Sequence, residues 1–199
     1  MLQADGGLAA HLKAGTTVVD MSSSEPLGTR ELGERLQPLD IALVDAPVSG
    51  GVPGAVAGTL AIMAGAADAA HVDAVMPVFQ ALGKRVFRTG GAGSGHAMKS
   101  LNNFVAAAAY TATAEALMIG QRFGLDAALM VDIINNSTGR SFNSEVVFAP
   151  QVVTGRFATG FALGLLAKDV GIASQLGQAL AVDAPVSRLV AERWELART

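Results

Sequence analysis

The sequence contains no cysteine. Disulfides and thiolate metal sites are therefore excluded, which fits a reducing compartment such as the cytoplasm. Histidine is scarce: His11, His71 and His96 stand far apart and show no metal-ligand spacing. Basic clusters are missing and the formal net charge is −3, so nothing points to a nucleic-acid partner. No apolar run reaches the roughly 20 residues of a membrane span. The opening residues, with Asp5, Gly6 and Gly7, do not resemble a signal peptide. Aromatic residues make up 5% and charged residues 16%, but 51% of the chain is hydrophobic, too much for disorder. A length of 199 residues allows one domain or two small ones. The expectation is a globular cytoplasmic protein without a metal.

Read along the chain, residues 7–14 resemble the end of a helix closed by Gly15. Thr16–Asp20 is β-branched and reads as a buried strand. Ser23 or Ser24 is a candidate cap for a helix that begins at Pro26 and ends near Leu36. Ile41–Asp45 is a second strand, so the segment reads as a βαβ unit and predicts a parallel sheet. Thr59–Ala64 and Arg85–Arg88 are further strands, flanking a helix over 67–82 that Pro77 interrupts or bends. From about residue 90 the sheet signals stop. Helices are expected over 94–124, 126–135, 141–153 (irregular near Pro150), 161–181 and from Pro185 onward. The expected domains are therefore 1–92, α/β, and 93–199, all-helical.

The stretch Gly90 to Gly124 organises the rest. Its glycines give way abruptly to helix formers, the pattern of a loop opening into a long helix, with Ser94 a candidate cap. Lys99 and Asn103 are four residues apart and share one helix face. Free N–H groups and the helix dipole near that loop favour an anion. A lysine and an amide so placed can hold a carboxylate and pass a proton to a neighbouring oxygen. A glycine turn before a helix is common, and a lysine in its first turns is usually solvated, so the stretch gains meaning only beside others. The alanines at 106–109, 112 and 114 suit a closely packed central helix or a subunit interface.

Three other stretches carry chemistry. The strands ending at Asp20 and Asp45 each lead into a polar or glycine-rich loop, where open α/β sheets place ligands. In the second loop Ser49, Gly50 and Gly51 offer a hydroxyl and exposed N–H donors, though the same residues also make an ordinary tight turn. Lys168 and Asp169 interrupt an apolar segment, either as a polar face or as groups directed at a ligand cleft.

Taken together, four segments resemble the β-hydroxyacid dehydrogenase family, which includes 3-hydroxyisobutyrate dehydrogenase and tartronate semialdehyde reductase. They are Asp20-Met-Ser-Ser23 with Pro26, Asp45-Ala-Pro-Val-Ser49-Gly50-Gly51, Gly93-Ser-Gly95-His-Ala-Met-Lys99-Ser-Leu-Asn-Asn103, and Lys168-Asp169-Val170. Their order and spacing match the family across nearly the whole chain. The resemblance implies the C-terminal half of a Rossmann-type dinucleotide-binding domain followed by an all-α domain with a long central helix. It implies hydride transfer between NAD or NADP and a short 3-hydroxy acid or semialdehyde. Lys99 matches the catalytic lysine, the general acid/base, and Asn103 the amide that orients the substrate. Ser49, Gly50 and Gly51 match the loop gripping the substrate carboxylate, and Phe161 a residue lining its pocket. Ser23 stands where the family usually has threonine beside the nicotinamide, while Lys168 matches a lysine that closes over cofactor and substrate and Asp169 its usual neighbour. A homodimer or homotetramer is implied as well. Burial lowers a lysine's pKa from about 10.4 and a substrate carboxylate raises it; the sequence leaves that balance open.

The departure from the family is at the ends. No Gly-x-Gly-x-x-Gly precedes Thr16, whereas family members carry that pyrophosphate-binding turn in an opening βαβ unit. A C-terminal segment usual in the family is also missing after Thr199. The expectation is a protein truncated at both ends, with family activity in the complete form and little in these residues alone. A second reading is an inactive fragment that serves as a helical oligomerisation module. An imine reductase shares the architecture, but those enzymes generally lack a lysine at the position of Lys99.

Overall fold

The computed structural model describes residues 7–198. The opening Met1–Gly6, part of the stretch read above as unlike a signal peptide, and Thr199 lie outside the described residues. The chain forms two compact units, residues 1–100 and 101–199.

The first unit is a mixed sheet with helices. Residues expected to end a helix form only a short 3-10 turn, Leu8–His11, before Gly15 reverses the chain with φ +81. Strand β1, Thr17–Asp20, leads to helix α1, Pro26–Leu36. Its cap is Glu25 rather than Ser23 or Ser24. The Glu25 carboxylate accepts from Leu27 N and Gly28 N, so an anionic side chain meets the positive end of the helix. Strand β2, Ala42–Asp45, pairs with β1 in parallel, Asp20 lying opposite Asp45. Thus the βαβ reading holds for this pair.

The sheet does not stay parallel. The expected loop after Asp45 contains a two-residue strand β3, Val48–Ser49, and a short helix α2, Gly51–Val56. Both β2 and β3 pair antiparallel with β4, Leu60–Ala66. A parallel return needs a crossover of a dozen or more residues; the six residues of α2 are too few. Pro47, which has no N–H to donate, separates β2 from β3, while its carbonyl accepts from Met63 N. Helix α3, Ala69–Leu82, supplies the longer crossover, and β5, Gly83–Gly90, lies parallel to β4. Pro77 leaves the helix continuous. The fully buried Phe79 and the buried Val72 pack into a core with Val44, Ile62, Ala64 and Ala66, and that burial outweighs the one lost backbone bond.

Helix α4, Ser94–Phe123, is 30 residues long and runs through the division between the units; the expected boundary at 92/93 falls at its start. In the second unit, α5, Ala127–Asn135, is capped by Asp126, whose carboxylate accepts from Leu129 N. The segment expected to be irregular is a π-helix, Ser144–Val152, with Pro150 inside. Helices α6, Leu163–Ala179, and α7, Pro185–Arg198, complete the unit. Ala107, Val170 and Val190 form one core, packed by Phe104 and Trp194. Leu117, Val131 and Phe148 form another, against which Tyr110 lies. Ala107, fully buried, is the α4 member of the first of these cores.

Among the described residues no helix is long and apolar enough to cross a membrane.

Candidate active site

In the first unit, the start of α4 is locked into the sheet. The carboxylate of Asp45, fully buried at the end of β2, accepts from Gly93 N at 2.8 Å and from His96 N at 3.0 Å. Those are donors of the first helical turn, so the carboxylate caps α4 from 48 residues away in sequence. Ser94, the expected cap, is instead the first helical residue, and its hydroxyl pairs with that of Thr89 at 2.8 Å. The expectation of free donors at this helix end is corrected for two of them: the protein's own anion takes Gly93 N and His96 N.

The glycines of this turn are required by contact. A Cβ on Gly95 would strike Met63 O, and at 2.9 Å both Asp45 O and Asp45 Oδ2. One on Gly93, where φ is +79, would strike Pro26 O. The Gly-x-Gly pattern thus marks a helix end pressed against two strands, which fixes the point from which Lys99 projects. Lys99 is half-buried one turn further on.

The strand-end loops lie in the same unit. Ser23 sits half-buried between β1 and α1. Ser49 is half-buried in β3, opposite Ala61. Gly50 and Gly51, both exposed, have φ of +130 and +59, conformations that a residue with a side chain rarely adopts.

Asn103 follows Lys99 by one helical turn. Within the second unit it is buried, and its Nδ2 donates to Asp169 Oδ2 at 2.6 Å. The Asn103 Oδ1 accepts from Asn102 Nδ2 at 3.3 Å. Lys168 Nζ lies 3.2 Å from Asp169 Oδ1, an ion pair whose directions do not make a hydrogen bond, so that buried oxygen has a charge partner but no donor. Lys168 is about half exposed and Asp169 almost wholly covered. Asp169 therefore faces inward and orients Asn103. Phe161 is 46% exposed in the segment preceding α6, not on the helix as expected.

Sequence reasoning missed His96. It is buried, and its Nδ1 lies 2.8 Å from Thr29 Oγ1. The one available signal was its place between two glycines and a lysine, which reads as helix packing.

Residues 93–199 match the family described as "NAD-binding of NADP-dependent 3-hydroxyisobutyrate dehydrogenase". Residues 1–91 match the "NAD binding domain of 6-phosphogluconate dehydrogenase". The 2-(hydroxymethyl)glutarate dehydrogenase of Eubacterium barkeri is 38% identical over 195 residues, 98% of this chain and 64% of that protein. The NAD-dependent L-serine dehydrogenase of Pseudomonas aeruginosa is 35% identical over 96% of this chain and 66% of its own. Among solved structures, the Mycobacterium tuberculosis 3-hydroxyisobutyrate dehydrogenase with L-serine superposes with a TM-score of 0.85 at 30% identity, covering 94% of this chain and 66% of that one. The chain spans about two thirds of the length of these relatives. Its two matched regions and the ordered motifs within them place it in one family: the chain belongs to the β-hydroxyacid dehydrogenases, with 3-hydroxyisobutyrate dehydrogenase among its relatives.

Proposed function

We propose that the protein is an NAD- or NADP-dependent dehydrogenase of a short 3-hydroxy acid, or equivalently a semialdehyde reductase. The observation that carries this reading is the Asn103 amide of α4, which donates at 2.6 Å to the buried Asp169 carboxylate of α6 and follows Lys99 by one turn of the same helix. An oriented amide beside a lysine fits a substrate with a carboxylate and an adjacent alcohol.

The residues present also fit the nicotinamide end of the cofactor. The N-terminus of α1 carries the Glu25 carboxylate, so it is unsuited to a pyrophosphate. The loop before it offers the Ser23 hydroxyl and suits an uncharged ring and its amide. When bound, the nicotinamide supplies or takes the hydride. Lys99 takes the proton from the substrate hydroxyl during oxidation and returns it during reduction. Asn103 orients the substrate, Asp169 fixes Asn103, and the Ser49-Gly50-Gly51 turn holds the carboxylate through its hydroxyl and backbone. Lys168 reaches the cofactor and Phe161 borders the substrate. The functional division of the chain falls at 92/93, and the protein acts in the cytoplasm.

Homodimeric or homotetrameric association through the helical unit belongs to the same proposal. Ile119 and Phe123 of α4 are 71% and 85% exposed, an apolar surface that water covers poorly.

A fluorescence titration of the 199-residue chain with NADH and NADPH tests the reading. Little binding is expected of these residues alone, and saturable binding of either once the opening βαβ unit of a relative is joined to them. Lys99→Ala should retain that binding and lose about 10²- to 10⁴-fold in semialdehyde reduction, the usual worth of a general acid. Failure of the joined protein to bind either nucleotide, with self-association intact by sedimentation, would favour the oligomerisation-module reading instead.

A further inference from the structure

Strand β5 carries two arginines, and among the described residues only one has an acidic partner. Arg88 pairs with Asp73 of α3. Arg85 is exposed, and its guanidinium carbon lies 5.1 Å from the centroid of the Phe87 ring. The two residues are two apart on one strand, so the stack holds the guanidinium on its own face of the sheet.

The sheet register shows what shares that face. Val48 pairs with Ile62 and Ile62 with Val86, and all three pack in the core beneath α3. Side chains alternate along a strand. The adjacent row, Ser49, Ala61 and Arg85, therefore looks out from the opposite face. A bulge decides this. Leu60 pairs with Gly83 but Ala61 with Arg85, so β5 holds one extra residue, Lys84. Without it Arg85 would sit opposite Ile62 and turn into the core. Gly83 is required there, because a Cβ would lie 2.5 Å from Leu60 O.

Ser49 and Arg85 are thus two strands apart, about 10 Å between Cα atoms at the usual strand spacing. Between them stands only the methyl group of the half-buried Ala61. The one acid paired with β4 on this face is Asp45, and its oxygens are taken by Gly93 N and His96 N. An extended five-carbon diacid has its carboxylate carbons about 5 Å apart at ordinary bond lengths. With one carboxylate on the Ser49-Gly50-Gly51 turn, the other falls over Ala61 and within reach of the long Arg85 side chain. The planar guanidinium offers a carboxylate two parallel N–H donors. A monocarboxylate on the same turn leaves those donors unused.

We propose that Arg85 is a specificity-determining residue that binds a second carboxylate of the substrate, so that the preferred 3-hydroxy acids are short dicarboxylates. This role rests on the reading of Ser49-Gly50-Gly51 as the turn that holds the first carboxylate.

The test needs no cofactor. Its probes are glutarate and valerate, acids of equal carbon count that differ by one carboxylate. Spectra correlating ¹H with ¹⁵N in the 199-residue chain follow the amides of Gly50 and Gly51 and the Nε–H of Arg85 through each titration. Both acids should shift the glycine amides. Glutarate alone should shift Arg85, and it should bind at least about tenfold more tightly, the factor that one charge-assisted hydrogen bond is worth. Arg85→Gln, a change at an exposed side chain, should bring glutarate down to the affinity of valerate. Arg88→Gln removes the same charge from the opposite face and should leave the preference intact. Equal affinities for the two acids overturn the role of Arg85 and leave the dehydrogenase reading in place. A preference that falls as far in Arg88→Gln as in Arg85→Gln does the same. If neither acid shifts Gly50 and Gly51, the carboxylate turn itself fails and the role of Arg85 fails with it.

Discussion

Each unit buries an aspartate, and the two are used differently. Asp45 in the first unit is fully buried and both its oxygens accept backbone N–H groups. Asp169 in the second unit is also buried, but its partners are the side chains of Asn103 and Lys168. A carboxylate satisfied by backbone donors fixes where an element begins. One satisfied by side chains fixes which way a functional group points. The difference teaches that burial and charge alone do not mark a functional residue; the identity of the donors does.

The largest effect expected from that contrast is on stability. Asp45→Ala leaves two donors of the first α4 turn buried without a partner. Charge-assisted hydrogen bonds are worth about 1.5–3 kcal/mol each, so a loss of about 3–5 kcal/mol is expected. At roughly 2–4 °C per kcal/mol for a chain of this size, the melting temperature should fall by about 6–20 °C. Thermal melts followed by circular dichroism would show it. A melt within about 2 °C of the unaltered protein would remove Asp45 as the anchor of the helix.

The second variant, Asp169→Asn, should behave in the opposite way. An amide there still accepts from Asn103 through its oxygen, so stability should fall by only about 1 kcal/mol. The charge partner of Lys168 is lost, and Asn103 is free to flip. Misplacing an orienting group is worth up to about 10²-fold in rate, so kcat should fall about 10- to 100-fold while nucleotide affinity is kept. Equal destabilisation by Asp45→Ala and Asp169→Asn, with turnover unaffected by the latter, would erase the distinction between the two aspartates.

Why one aspartate was legible in the sequence and the other was not follows from the same chemistry. The spacing of Lys99 and Asn103 and the oddity of Lys168-Asp169 in an apolar segment are local signals. So are the β-branched run before Asp20 and the proline at the start of α1, and the structure has β1 and α1 there. Asp45 appeared only as the end of a strand, because its donors lie 48 and 51 positions away. Ser94 looked like the cap because capping is usually local; the sheet supplies a stronger acceptor. The turn to antiparallel pairing was hidden for a related reason. A glycine-rich loop after a strand does not reveal that Val48 and Ser49 extend it past Pro47 onto β4. The π-helix at Ser144–Val152 left only the trace of Pro150 and an irregular period.

A smaller effect tests whether the helical unit depends on polar contacts as the first unit does. Trp194 Nε1 donates to Thr111 Oγ1 at 3.0 Å, while its ring meets Tyr110 edge-on with centroids 5.4 Å apart. Trp194→Phe keeps an aromatic ring and removes the donor, so a loss of about 1 kcal/mol is expected, read from the urea midpoint. A loss as large as that of Asp45→Ala would mean that this unit too is anchored by a polar contact.

The smallest effect belongs to an aspartate that is not buried at all. Asp73 forms an ion pair with Arg88, with side chains 58% and 51% exposed. The hydrogen bond from Arg88 lowers the Asp73 pKa below its ordinary 3.8, the modest desolvation opposes it, and the charge of Arg88 adds to the lowering. A carboxyl with a depressed folded-state pKa contributes its stability above 3.8 and loses it as the pH falls through the lower, folded-state value. The pair is solvent-screened, so the contribution should be slight even when fully present. Arg88→Ala should therefore lower the urea midpoint marginally at pH 7 and not at all at pH 2. At about 1 M salt, where the screening length is about 3 Å, the difference at pH 7 should disappear. A difference that survives both acid and salt would come from the packing of the Arg88 stem and not from its charge. The contrast between buried and exposed aspartates would then rest on Asp45 and Asp169 alone.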